Sequence, residues 1–160
     1  LDGRPVNSCL LLAPQVDGRE IHTVEHQSRE RTLSAIQTAF LDVGAVQCGY
    51  CTPPFLLATE ALLEQHPEPT RAQVVDAFSS LFCRCTGYEQ MFAAVELAAK
   101  RLRDPARAAA KGQEFRADLR LVGKPARKVD GARLVRVEKA YVEDMVAPGT
   151  CHLKLPAAHG

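Results

Sequence analysis

Leu33, Ile36, Phe40 and Leu41 stand at i, i+3, i+7 and i+8, which is one face of a helix. The pattern breaks at Cys48-Gly49-Tyr50-Cys51. Thr52-Pro53-Pro54 restarts it, as an N-cap followed by prolines in a first helical turn. That second helix runs through Leu57 and Leu62 toward Gln65, and His66-Pro67-Glu68-Pro69 breaks it, because proline lacks the N–H a helix interior needs. Thr70 with Gln73 spells a capping box for a third helix, with Val74, Phe78 and Leu81 as its apolar stripe. Cys83-Arg84-Cys85-Thr86-Gly87 closes it. A fourth helix then puts Phe92, Val95, Ala99 and Leu102 on one face. Four amphipathic helices over residues 32–102, joined by short loops, predict a small antiparallel bundle, and the fold class is mainly α.

The flanks read differently. Cys9-Leu10-Leu11-Leu12-Ala13 predicts a buried strand or a short helix, and Ile21-His22-Thr23-Val24 a short strand. Asp17-Gly18 between them reads as a hairpin turn. Residues 1–31 are therefore expected to be the end of a β-containing domain whose beginning lies outside the chain. Residues 103–118, rich in Ala, Arg and Lys, read as a helix extension or linker. Residues 119–160 turn strand-like again, punctuated by Gly123, Pro125, Gly131, Pro148 and Gly149.

Composition narrows the functions. Hydrophobic residues make up 46% of the 160, aromatics only 6%, and Trp is absent, so the expected core is aliphatic. A net charge of +1 gives no general pull toward nucleic acid or anionic membrane. Between Lys100 and Arg136 there are twelve basic residues against four acidic ones. Few aromatics accompany them to stack on bases, so we expect a solvated linker and no nucleic-acid partner. No apolar run reaches the roughly 18 residues of a membrane span. The absence of a visible export signal points to the cytoplasm. The chain opens on Leu1 rather than Met, and a fragment is expected.

The six cysteines sit at 9, 48, 51, 83, 85 and 151. Four of them form a C-x2-C pair and a C-x-C pair separated by 31 residues, and close pairs of this kind point to a metal rather than to disulfides. In the predicted bundle, Cys48 and Cys51 lie between helices one and two, and Cys83 and Cys85 between helices three and four. Those two loops share one end, so the gap is one out-and-back hairpin. Four thiolates are the complement of a [2Fe–2S] cluster, but they also hold structural zinc, and spacing alone leaves both open. Helices two and four begin just after the cysteines, so their positive ends would face an anionic centre. Gly49 and Gly87 would admit backbone N–H groups close to sulfur, and Arg84 adds a positive charge. The histidines at 22, 26, 66, 152 and 159 form no pair at ligand spacing and read as surface or core residues. No Ser/His/Asp set, phosphate-binding glycine loop or zincin motif is present.

Ala45-Val46-Gln47-Cys48-Gly49-Tyr50-Cys51-Thr52-Pro53 and Cys83-Arg84-Cys85-Thr86-Gly87-Tyr88 resemble the two cluster motifs of the xanthine dehydrogenase (molybdenum hydroxylase) family. The 31-residue gap matches as well. The resemblance covers residues 1–102 and favours iron–sulfur over zinc. It implies a β-grasp, plant-ferredoxin-like domain, of which 1–31 would be the remnant, followed by a four-helix [2Fe–2S]-binding domain at 32–102. Val6-Asn7-Ser8-Cys9-Leu10 resembles the last ligand motif of the ferredoxin-like domain. Cys9 would then serve a second cluster, left incomplete because its partners are not in this chain; otherwise Cys9 reads as a buried apolar residue. Val122-Gly123-Lys124-Pro125, Arg127, Val129-Asp130-Gly131, Tyr141-Val142-Glu143-Asp144-Met145, Pro148-Gly149 and His152-Leu153-Lys154 resemble the start of the family's molybdopterin-binding part, which would begin at 119.

The resemblance also implies roles. Gln47 would contact the molybdenum cofactor, or else cap helix one, and Cys85 would lie beside the pterin on the electron path. Electrons from an oxidative hydroxylation at molybdenum would pass through the cluster toward FAD. The partners implied are a molybdopterin-binding and an FAD-binding domain or subunit. Pro54, Ser80-Leu81, His26 and Val137 depart from the family pattern, as does Pro156-Ala157-Ala158-His159-Gly160, whereas the four ligands are intact. Two competing expectations are a zinc-stabilised helical module binding a partner through its basic segment and an inactive remnant of the family.

Overall fold

Ser34 starts the helical body. Its side chain accepts from the Gln37 N–H, while the Gln37 side chain returns to the Ser34 N–H at 2.9 Å, a reciprocal cap that opens α1, Ala35–Asp42. The same device, built from Thr70 and Gln73, opens α3, Arg71–Ala77. Between them α2 spans Thr52–Gln65, with Cys51 as its N-cap and the prolines in its first turn, one residue earlier than the predicted cap at Thr52. The longest helix, α4, spans Glu89–Arg103. The computed structural model describes residues 1–28, 32–104, 126–138 and 141–151. Most of the expected linker at 103–118, the Val122–Pro125 motif and His152–Lys154 lie outside these.

The bundle is the predicted one, with α1 packed chiefly on α4 and α2 on α3. Ala39 on α1 and Ala94 and Ala98 on α4 are fully buried, and such small side chains let helix axes approach closely. Phe40, Phe55, Leu56, Met91 and Val95 fill the centre, none more than 1% exposed. Phe55 meets Phe78 edge-on, ring centroids 4.8 Å apart. The third helix is shorter than its apolar stripe suggested. Phe78 caps it through its N–H to Val74 O, and Leu81 follows in a turn, so the chain is already leaving the helix before Cys83.

A fifth helix, α5 (Gly131–Val135), joins this core, where strand-like structure was expected. Leu134 and Val135 are buried, and the fully buried Gln37 amide donates to Val135 O at 2.9 Å. A Cβ on Gly131 would stand 2.7 Å from Leu41 Cδ2, so a larger residue there would make the Leu41 side chain shift. Asp42 takes Arg101 Nη2 on one carboxylate oxygen at 2.6 Å and Arg127 Nε on the other at 2.5 Å, tying α1 to α4 and to the segment before α5.

The N-terminal residues are held far more loosely. No residue before Val24 is buried. The Cys9–Ala13 stretch carries two short 3-10 turns, Ser8–Leu10 and Ala13–Val16, and Leu10 and Leu12 are exposed. Asp17-Gly18 does form a turn, but no strand flanks it, nor is one found elsewhere among the described residues. No described helix is long and apolar enough to cross a membrane.

Candidate metal centre

Two loops at one end of the bundle carry the four clustered cysteines. The first leaves α1 by a turn in which the Ala45 N–H returns to Phe40 O at 2.9 Å, and buried Ala45 and Val46 anchor it. Gly49 then takes φ +85°, and the Thr52 N–H closes on Gly49 O at 3.2 Å to start α2. The conformation favours glycine, and space demands it, because an added Cβ would meet the Leu134 side chain at 2.8 Å. The tail thus forms one wall of this loop. It also holds it from outside, since the Tyr141 hydroxyl donates to Cys48 O at 3.0 Å.

The second loop is built around Tyr88. This residue stands at φ +73° as the N-cap of α4, a left-handed conformation unusual for a large side chain. Its hydroxyl accepts the Cys83 N–H at 3.0 Å and donates to Leu81 O at 3.2 Å, pinning the segment that enters the turn. The ring lies 6.1 Å from Phe55. Packing into the core thus holds the C-x-C loop through a residue outside the C-x-C spacing.

The loops bring all four thiols together, two by two. Cys51 meets Cys83 in a half-buried pair, and Cys48 meets Cys85 in an exposed one. Burial, reinforced by Cys83 and Cys48, pushes the Cys51 thiol up to about 12. Burial also acts to raise Cys83, but hydrogen bonds from the Thr86 hydroxyl and the Thr86 and Cys85 N–H groups outweigh it, and the Cys83 thiol is lowered. Cys85 is raised, chiefly by its hydrogen bond with Cys48. The two thiols of the inner pair are thus shifted in opposite directions, Cys51 by burial and Cys83 by the donors around its sulfur.

Among the described residues no three His, Cys, Asp or Glu side chains meet as a site for a single ion. Four thiols converging from two loops are a donor set that fits a [2Fe–2S] cluster, and equally a tetrahedral zinc. Helix α2 begins directly at Cys51 and α4 four residues after Cys85, so the N-terminus of α2 lies at the site.

Gln47 is exposed beside Cys48, and α1 ends well before it, capped by Val43. Cys9 is exposed rather than buried, on a 3-10 turn that carries no buried residue. The rings of His22 and His26 stack at 4.4 Å, a pairing that the spacing analysis left unused. Sequence reasoning did not assign roles to Tyr88, Thr86, Leu134 or Tyr141. The first two lie inside the quoted motif, but nothing in the spacing links the latter two to Gly49 and Cys48.

Residues 23–96 match the [2Fe-2S] binding domain family. The chain is 38% identical over 161 residues to the probable hypoxanthine oxidase XdhD of Escherichia coli K12, covering 99% of this chain and 17% of that protein. It is 45% identical over 100 residues to the nicotinate dehydrogenase small FeS subunit of Eubacterium barkeri, covering 62% of this chain and 64% of the subunit. Among solved structures, the aldehyde oxidoreductase of Desulfovibrio gigas superposes with a TM-score of 0.79 at 30% identity, covering 89% of this chain and 16% of that one. The chain therefore spans less than two thirds of each of these proteins.

Proposed function

The chain belongs to the iron–sulfur part of the xanthine dehydrogenase family, and on that premise we propose that Cys48, Cys51, Cys83 and Cys85 hold one [2Fe–2S] cluster through which it passes electrons. The observation that carries the proposal is the meeting of the four thiols, two by two, from two loops at one end of the bundle. When bound, such a cluster takes up and gives back single electrons. The protein's part is to fix four sulfurs, half-bury two of them, and place the N–H groups of a helix terminus and a tight loop near the negative charge.

The exposed pair supports a reading of where a partner would dock. Cys48 and Cys85 face solvent, with Gln47 beside them and the exposed Tyr50 at the edge. This is the side we assign to the molybdopterin-binding domain or subunit, with Gln47 touching that cofactor and Cys85 on the electron path. Electrons would arrive there from oxidative hydroxylation at molybdenum and leave toward an FAD-binding domain or subunit. On the same reading, residues 1–31 are the end of a ferredoxin-like domain, with Cys9 the remaining ligand of a second cluster. The residues from 119 onward begin the molybdenum-binding part.

Anaerobic purification tests the central step. Two irons and two acid-labile sulfides per chain, with a rhombic EPR signal on reduction, are expected. Stoichiometric zinc, or a folded chain without metal, would sink the proposal and leave the zinc module or the inactive remnant. Replacing Gln47 by Ala in a complete enzyme should slow reduction of the cluster by substrate, and unchanged reduction kinetics would remove Gln47 from the path.

A further inference from the structure

The Cys83 sulfur is surrounded by donors on its protein side. The N–H groups of Cys85 and Thr86 each reach it at 3.4 Å, and the Thr86 hydroxyl at 3.3 Å. The Thr86 hydroxyl has a further neighbour. The Tyr88 N–H donates to Thr86 Oγ1 at 3.2 Å, so that oxygen is already serving as an acceptor and its proton is free to point at the sulfur. Once Cys83 is a metal-bound thiolate it has no proton to give, and Thr86 can only be the donor. The contact is half-buried, where a hydrogen bond to a charged acceptor is stronger than in water. It is also held in place by the loop itself, since Tyr88, which supplies that N–H, is anchored through its hydroxyl to Cys83 N and Leu81 O.

Resting on the iron–sulfur assignment above, we propose that Thr86 is a positioning residue that raises the reduction potential of the site through its hydrogen bond to Cys83. Reduction adds one electron, and its charge spreads onto the ligand sulfurs. A donor aimed at one of them favours the reduced state. Thr86 keeps its own proton throughout, and no bond is made or broken. Of the three donors on this sulfur, the hydroxyl is the one that a substitution removes while leaving the backbone intact.

The test is a potentiometric titration with dithionite, followed by EPR, on the full chain purified anaerobically. Iron, sulfide and the rhombic signal come first; a wild-type chain holding neither iron nor sulfide overturns the iron–sulfur assignment itself, before any variant is compared. With the cluster present, Thr86→Val keeps the volume and loses the donor. Its equilibrium constant for reduction should fall about tenfold, a downward shift of about 59 mV for one electron. Thr86→Ser, which restores the hydroxyl, should return to the wild-type potential. An unshifted potential in a fully loaded Thr86→Val protein overturns the proposal, as does a Thr86→Ser protein shifted as far as the valine variant. If Thr86→Val and Thr86→Ala both fail to fold, or fold without iron, the residue is structural and the tuning role falls.

Discussion

The helical body and the N-terminal stretch are made of similar residues but hold together very differently. In the body, the apolar positions of α1, α2 and α4 close on one another and leave Phe40, Phe55 and Val95 with no exposure. In residues 1–23, Leu10, Leu12 and Ile21 are 75%, 69% and 58% exposed, and the described contacts are local: 3-10 turns, the Asp2–Glu20 backbone bond and the Arg19–Asp2 ion pair among them. A helix satisfies its backbone within itself and needs a partner only for one face. An extended segment needs a neighbouring strand for its hydrogen bonds as well, and the described residues supply none. Hydrophobicity alone therefore does not make a core; a segment also needs elements to pack against. The cysteines follow the same division: four are brought together by the body, and Cys9 stands exposed on the stretch.

The sharpest way to break this comparison is at sulfur. If the proposed assignment holds, Cys51→Ser or Cys83→Ser should abolish cluster retention, with iron per chain falling to near zero after desalting, because each removes one of the four proposed ligands. Cys9→Ser should leave iron per chain at the wild-type value. Equal losses from both kinds of variant would mean that the stretch takes part in the body's centre.

Packing comes next. Phe55 is fully buried between Phe78 and Tyr88, so Phe55→Ala should lower unfolding free energy by about 3–5 kcal/mol in a denaturant titration. Because Tyr88 anchors the second ligand loop, iron retention should weaken as well. Leu12→Ala, on an exposed side chain, should stay within about 0.5 kcal/mol of wild type.

How much of this was legible in the sequence follows the same physics. The Ser34 and Thr70 starts, the proline break after Gln65 and the four-helix count are local, and the amphipathic spacing reports them faithfully. The convergence of two cysteine loops could be read because alternating helices return the chain to the same end. The end of α3 was misplaced because Phe78 and Leu81 keep helical spacing while they pack from a turn, so periodicity reports burial and not hydrogen bonding. The strands expected in 1–31 failed because alternation says what a strand would bury, not whether a neighbour exists. The docking of α5 was invisible, since a glycine at 49 meeting a leucine at 134 leaves no mark in either local pattern.

That docking extends the comparison to the tail, which by packing belongs with the body. Gly49→Ala forces a Cβ to within 2.8 Å of Leu134 at φ +85°, and should cost about 1–3 kcal/mol in thermal or denaturant unfolding. Adding Leu134→Ala removes the two Cδ contacts but leaves the Cβ at 2.9 Å, so it should recover only part of the steric share, and the coupling in the double-mutant cycle measures that part. Additive losses would mean that the tail does not rest on the ligand loop.

The smallest effect separates the two regions by their ion pairs. Burial acts to raise the Asp42 carboxyl, but hydrogen bonds from Arg127 and Arg101 overcome it and hold it below the usual carboxylate range. A folded pKa below the unfolded one means stability that is present above the unfolded value, near 3.9, and is lost as pH falls through the folded one. Asp42→Asn should therefore cost about 1–2 kcal/mol at neutral pH and flatten the acid limb of the stability curve. Below that limb, wild type and variant should converge. In the N-terminal stretch, Asp2 is also lowered, first by its hydrogen bond with the Glu20 backbone and then by Arg19 at 2.5 Å, yet both side chains are about half exposed. Water and salt already do for that carboxylate most of what Arg19 does, so Asp2→Asn should leave the body's acid unfolding midpoint where it was. A midpoint moved equally by both substitutions would mean that the stretch folds with the body as one unit.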